Sequence, residues 1–188
     1  MNPENDNAYV TLGDIYRSRG NYAKAKKMFQ RAIEINPENE NGYISLAGLY
    51  QLLGEYAQAA RMYKHSLKIN PVNANVYDGL GTLRANQQKY QEAERMYRKA
   101  LKLNPDNAVF YDGLGSSCKR QGKYSQAEQM YKEAIRLDPD NDIFYVNLGI
   151  FYGSQDRYTE AAGMFKQALK LNPKNIEAYN ALEDCDKR

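Results

Sequence analysis

The chain has 188 residues, 43% of them apolar and 26% charged, and its 26 Lys and Arg against 23 Asp and Glu leave a formal net charge of +3. This is the composition of a folded chain, and so small a positive excess gives no ground for bulk attraction to nucleic acid, anionic lipid or a polyanionic substrate. Two cysteines, Cys118 and Cys185, and one histidine, His65, make neither a disulfide framework nor a multi-ligand metal site, so no metal or cofactor is expected.

Met1 to Asp6 is polar and lacks the charged-then-apolar pattern of a leader; the most apolar run, 143–152, contains Asn147 and is far short of a membrane span. No membrane partner is expected, and the expected location is cytoplasmic. Asn2-Pro3-Glu4-Asn5 repeats Asn36-Pro37-Glu38-Asn39, so the chain is expected to be cut from a longer array. Its first helix then lacks a neighbour, and the open N-terminal end is expected to permit self-association by end-to-end stacking.

The first predicted helix begins at Asp6. Tyr9, Leu12, Ile15 and Tyr16 fall at i, i+3, i+6 and i+7, one stripe of a 3.6-residue period. Arg19-Gly20-Asn21 ends it, because Gly20 can take the left-handed conformation of a helix terminus. A second predicted helix carries Ala25, Met28, Phe29, Ala32 and Ile33 on one face. Asn36-Pro37 stops it, since proline lacks the N–H that continuation needs and biases the preceding residue away from helical angles.

The same unit then recurs. Pro37, Pro71, Pro105, Pro139 and Pro173 are spaced by 34 residues without an insertion. In phase with them run Tyr9, Tyr43, Tyr77, Tyr111, Tyr145 and Tyr179, then Leu12, Leu46, Leu80, Leu114, Leu148 and Leu182. Ala25, Ala59, Ala93, Ala127 and Ala161 follow, then an aromatic at Phe29, Tyr63, Tyr97, Tyr131 and Phe165. Gln88 and Asp156 replace the turn glycine in two units, which weakens the prediction of those turns.

With Asp6 as unit position 1, the repeats are 6–39, 40–73, 74–107, 108–141 and 142–175. A lone helix follows at 176–188, whose Ala178, Tyr179, Leu182 and Cys185 are expected to cover the last repeat. All seventeen tyrosines fall on unit positions 4, 11, 17 and 24, which predicts core packing over an aromatic binding surface.

The order aromatic, Leu-Gly, Tyr, Ala, aromatic, Ala, Pro resembles the tetratricopeptide-repeat family, with Tyr where that family most often has Trp. The resemblance covers essentially the whole chain. It implies an all-α fold, a right-handed α–α superhelix of five helix-turn-helix repeats closed by a C-terminal capping helix. It also implies a scaffold that binds a protein or peptide segment in a concave groove lined by first helices. No phosphate loop, nucleophile elbow or paired-carboxylate motif appears, so the chain is read as a non-enzyme.

In the family, partners touch unit positions 2, 5, 6, 9, 12 and 13. Mapped here, the expected groove comprises Asn7, Val10, Asp14 and Arg17 in the first repeat, Asn41, Ile44 and Gly48 in the second, and Asn75, Asp78 and Thr82 in the third. Val109, Asp112, Ser116 and Lys119 follow in the fourth, and Ile143, Val146, Asn147 and Ile150 in the fifth. Three features stand out. Gly48, Gly79, Thr82, Gly113 and Ser116 predict shallow walls, Asp78 and Asp112 an acidic pair, and Val109, Ile143, Val146 and Ile150 an apolar patch. A segment with a Lys or Arg near the acidic pair and an apolar anchor toward Val146 fits that description.

Rival functions are weaker. The Lys and Asn clamp by which some family members hold acidic chaperone tails is absent. A substrate-presenting or regulatory arm of a larger protein such as a glycosyltransferase would carry an asparagine ladder at unit position 6, where only Asn147 stands. RNA recognition would have to use basic residues of the second helices, such as Lys24, Lys27, Arg31 and Arg95, which read as solvated charge, so no nucleic acid partner is expected.

Overall fold

A computed structural model describes residues 5–187, which form eleven α-helices with no strand among them. They are α1 (Asp6–Ser18), α2 (Tyr22–Ile35), α3 (Glu40–Leu52), α4 (Tyr56–Ile69), α5 (Ala74–Asn86), α6 (Tyr90–Leu103), α7 (Ala108–Arg120), α8 (Tyr124–Leu137), α9 (Asp142–Gly153), α10 (Tyr158–Leu171) and α11 (Ile176–Asp186).

Asparagine starts the first helix of every pair. Asn5, Asn39, Asn73, Asn107, Asn141 and Asn175 hold extended backbone angles, and each side chain accepts a hydrogen bond from a first-turn N–H. Such a cap is worth about 1 kcal/mol over alanine. Three caps are themselves held by a carboxylate at unit position 1. The Nδ2 groups of Asn39, Asn73 and Asn175 donate to Asp6, Glu40 and Asp142 at 2.8, 2.5 and 2.7 Å, and Asn36, Asn70 and Asn172 donate to the same carboxylates. Each set ties the start of a first helix to the loop that closes its own repeat. Ala74 and Ala108 occupy that position in the other two repeats.

The turns within pairs keep a left-handed residue throughout. Gly20, Gly54 and Gly122 have φ of 72°, 76° and 74°, and Gln88 and Asp156 take 59° and 58°. The two turns that the sequence left in doubt therefore form, at a strain of roughly 1 to 2 kcal/mol for a residue with a Cβ.

The chain makes two compact units, Met1–Gln87 and Gln88–Arg188. In the first, α1 packs on α2 and α3, α3 also on α2 and α4, and α5 on α4 and α3. In the second, α7 packs on α6, α8 and α9, α9 also on α8 and α10, and α11 on α10 and α9.

The recurrent aromatic at unit position 24 is the pivot of the packing. Phe29, Tyr63, Tyr97, Tyr131 and Phe165 are all buried. A methyl group placed on Gly149 would stand 2.6 Å from the Phe165 ring of its own pair, and one on Gly79 or Gly113 would stand 2.6 Å from Tyr63 or Tyr97 of the preceding pair. Those rings lie directly on helix backbone, which brings the helices to the close end of their usual separation.

Two sequence expectations are corrected here. The tyrosines are not uniformly core: Tyr63, Tyr97, Tyr131, Tyr50 and Tyr152 are buried, those at positions 4 and 17 are at best half-buried, and Tyr22, Tyr124 and Tyr179 are exposed. Likewise α11 does not cover its neighbour with Tyr179, which is 60% exposed, but with Ala178, which is fully buried. The cause is an inward-facing row at position 3, filled by Gly42, Val76, Phe110, Phe144 and Ala178. Its residues vary too much in size to stand out as a repeat.

Candidate functional site

The rows expected to contact a partner lie on the first helices, and the structure separates them. Asn7, Asn41, Asn75, Val109 and Ile143 are exposed near the helix N-termini, and Ser116 is exposed at mid-helix. Asp14, Arg17, Ile44, Gly48, Asp78, Thr82, Asp112, Lys119, Asn147 and Ile150 are half-buried. Val10 and Val146 are buried at 8% and 2% exposure, so Val146 belongs to the core and not to an accessible apolar patch. Gly79 and Gly113 are corrected as well. They are roofed by tyrosine rings and do not form shallow walls, whereas Gly48 is open, its nearest neighbour being the Arg17 guanidinium.

In the first unit, four helices contribute to one polar cluster. Arg17 on α1 pairs with Asp14 at 2.9 Å and reaches over Gly48 of α3. The Tyr63 hydroxyl of α4 donates to Oε1 of Gln51 on α3 at 3.4 Å. Burial pushes the Tyr63 phenol up to about 12, the Asp78 charge adding and Arg17 opposing. Burial alone pushes the Asp78 carboxyl of α5 up to about 6.

In the second unit, Asp112 on α7 accepts from Nδ2 of Asn147 on α9, at 2.9 Å to Oδ1 and 3.0 Å to Oδ2. Burial raises its carboxyl to about 6 although the Asn147 amide pulls the other way. Burial likewise pushes the Lys119 ammonium down, with Arg120 adding to the shift. One helical turn beyond Asn147, Ile150 lines a cavity of 220 Å³ with Gly149, Gly153, Phe165, Ala181 and Asp184. The amide that holds the desolvated Asp112 carboxylate of α7 thus sits about a turn from an apolar socket along α9. Either alone is common in proteins; together they offer charge recognition beside hydrophobic burial.

Among the described residues no group of three or more His, Cys, Asp and Glu side chains converges as a metal site, and no disulfide joins Cys118 to Cys185. Nor is any described helix long and apolar enough to cross a membrane.

The sequence matches the family model for the C-terminal domain of cilia and flagella-associated protein 70 over residues 3–188. The chain belongs to that family. No curated protein sequence matched. The cilia and flagella-associated protein 70 C-terminal domain is a tetratricopeptide domain in its fold as well. The thermophilic TPR protein TTC0263 of Thermus thermophilus is 22% identical, with 97% of this chain and 100% of that chain covered, at a TM-score of 0.85. PilF of Pseudomonas aeruginosa is 23% identical over 97% of this chain and 83% of that chain, at 0.82. YrrB, described as a TPR protein with an unusual peptide-binding site, is 19% identical over 97% and 94%, at 0.65. At such identities these likenesses establish the fold alone. An all-helical repeat of this type is a scaffold for protein interaction, and no enzymatic family accompanies the match.

Sequence reasoning missed the site role of Tyr63 and the carboxylates that hold the caps. One signal was available: where the position-24 aromatic is Tyr63 or Tyr97, position 6 of the next repeat is Gly79 or Gly113. After Phe29, Tyr131 and Phe165 that position holds Ser45, Asn147 and Ala181, so the glycine seat at position 6 belongs to Tyr63 and Tyr97 alone among these rings.

Proposed function

We propose that this domain holds a partner polypeptide of the cilium or flagellum on its first-helix face, by a Lys or Arg side chain at Asp112 and an apolar side chain in the Ile150 socket. The observation that carries this reading is the pairing of Asp112 with an amide, Asn147, in a buried setting, one turn from that socket. A carboxylate pushed up to about 6 by burial gains most when a cation arrives, because the arriving charge offsets the desolvation already incurred. Asp78 is the counterpart in the first unit, also pushed up to about 6 by burial, and it presents the same chemistry there. Val109 and Ile143, 53% and 57% exposed at the N-termini of α7 and α9, extend the apolar surface. The family name supports a ciliary or flagellar setting.

Selection of displayed random peptides on the intact chain tests the reading. Enriched sequences should carry Lys or Arg close to an apolar residue, and their affinity should fall about tenfold both in Asp112→Asn and in Ala181→Phe, which fills the socket. Enriched peptides that bind both variants as tightly as the parent, with helicity intact, would overturn it.

A further inference from the structure

The second helices of the first unit carry a charge pattern that the first-helix site does not use. Across α2 and α4 stand seven Lys and Arg against one acidic residue, Glu34, and that one pairs with Arg31 at 3.2 Å. The first helices of the same unit are the reverse, with four acidic residues and two basic. In the second unit α6, α8 and α10 hold eight basic against five acidic residues, and Glu94, Glu128 and Glu133 each neutralise a neighbour on the same helix. Uncompensated positive charge is therefore concentrated on α2 and α4.

Between those two helices lies a cavity of 370 Å³. Tyr43, Leu46 and Tyr50 of α3 form its floor, Ile33 of α2 and Met62 of α4 its apolar walls. The Lys26 ammonium stands 4.9 Å from the Tyr50 ring centroid, and the His65 ring stacks on Tyr43 at 5.3 Å. Glu34, paired with Arg31, also lines the cavity with Gln30, three residues after Lys27, and Arg61 is four before His65, which stacks on the floor residue Tyr43.

We propose that this face docks an acidic protein segment that inserts one apolar side chain between α2 and α4. The cavity buries the apolar group, and the cations around it meet the flanking carboxylates. Complementarity of this kind selects partners and speeds encounter. Single-stranded nucleic acid would also answer the charge, but it is held by stacking bases on free aromatic faces. Here Lys26 covers a face of Tyr50 and His65 a face of Tyr43, which favours carboxylates over bases.

The probe is a short fluorescein-labelled peptide of glutamates around one central leucine, titrated with the whole chain by fluorescence anisotropy. Binding should weaken about tenfold when glycine replaces the leucine, and steeply as salt is raised. It should weaken at least tenfold in Lys27→Glu/Arg61→Glu, and Met62→Trp should remove the preference for leucine by filling the cavity. Lys132→Glu/Lys166→Glu in the second unit should leave affinity unchanged. All variants alter partly or wholly exposed positions, and circular dichroism verifies their helicity. Equal affinity of the parent and Lys27→Glu/Arg61→Glu would overturn the proposal, as would equal affinity for the leucine and glycine peptides. So would tighter binding of an oligouridylate than of the leucine peptide.

Discussion

In the second unit a glutamate on one second helix reaches into the next repeat. Glu94 of α6 meets Lys123 at 2.7 Å as well as Arg98, and Glu128 of α8 meets Arg157 at 2.7 Å as well as Lys132. In the first unit the same unit position holds Lys26, whose ammonium lies over the Tyr50 ring of the next repeat, and then Ala60. One repeat geometry thus tolerates an ion pair, a cation over an aromatic ring, or an alanine at the same joint. At one joint in each unit the constant element is a buried tyrosine lying on glycine backbone, Tyr63 on Gly79 and Tyr97 on Gly113. Steric fit holds the repeats together, and charge is left free to differentiate the two units.

The largest expected effect tests the shared device. Gly79→Val in the first unit and Gly113→Val in the second place a branched side chain where even a Cβ would lie 2.6 Å from Tyr63 or Tyr97. Each should cost about 3 kcal/mol or more, the upper end for overpacking, since backbone lies on one side and a buried ring on the other. Urea titration followed by circular dichroism measures the loss. Similar losses in both units sharpen the comparison, and a much smaller loss in one would mean that its joint rests on something else.

The next effect is confined to the second unit. Hydrogen bonds from Arg157, with burial opposing and Lys132 and Tyr152 assisting, hold the Glu128 carboxyl at about 2. At Glu94 burial raises the carboxyl, but hydrogen bonds from Lys123, Arg98 and Gln121 outweigh it and bring it to about 2. Below about pH 4.5 the unfolded chain takes up protons that these folded carboxylates refuse until about pH 2. Their contribution is therefore complete above pH 4.5 and drains away as pH falls toward 2. Glu128→Gln should cost about 1 to 2 kcal/mol at pH 7 and flatten that acid limb. Native-state hydrogen exchange should place the loss in α8 and α9, with α1 to α4 unchanged.

Asp78 and Asp112 give each unit one group of opposite sign. Burial raises both to about 6 from an ordinary 3.8. Between those values the folded chain binds more protons than the unfolded one, so stability falls as pH rises from about 4 to 6 and the cost of burial is complete above that. Asp78→Asn and Asp112→Asn should each add about 1 kcal/mol at pH 7 and shrink this limb, as thermal melts across the pH range would record. Together with the glutamates, the parent chain should be most stable near pH 4 to 5.

Much of this was legible in the sequence because a strict period exposes any residue that recurs. The helices, their asparagine and proline boundaries and the position-24 aromatics are all visible as rows. What escaped depends on side-chain direction between residues more than a turn apart. Gly79 and Gly113 carry no side chain to show which way they face, so a groove wall and a seat for a ring read alike. The carboxylates Asp6, Glu40 and Asp142 meet their asparagines thirty or more residues later and occur in only three repeats, which hides them from a search for uniform rows. Val146 shares its row with Asp78 and Asp112, and nothing in the period tells a buried position from a half-buried one.

The smallest effect concerns a glycine of the opposite kind. Gly163 lies in mid-α10, where the other repeats have Lys27, Arg61, Arg95 and Gln129, and a methyl group placed there would meet nothing within 4 Å. It borders a cavity of 480 Å³ lined also by Asp156, Tyr158, Thr159, Ala162, Lys166 and Cys185. Glycine is entropically costly inside a helix, so Gly163→Ala should stabilise the second unit by about 0.5 to 1 kcal/mol, as urea titration would show. That sign is the reverse of the valine substitutions at Gly79 and Gly113, although all three are helical glycines. A loss of stability instead would mean that α11 settles closer against α10 and already uses the space beside Gly163. The seam between the last two helices would then be as tightly joined as those built on Tyr63 and Tyr97.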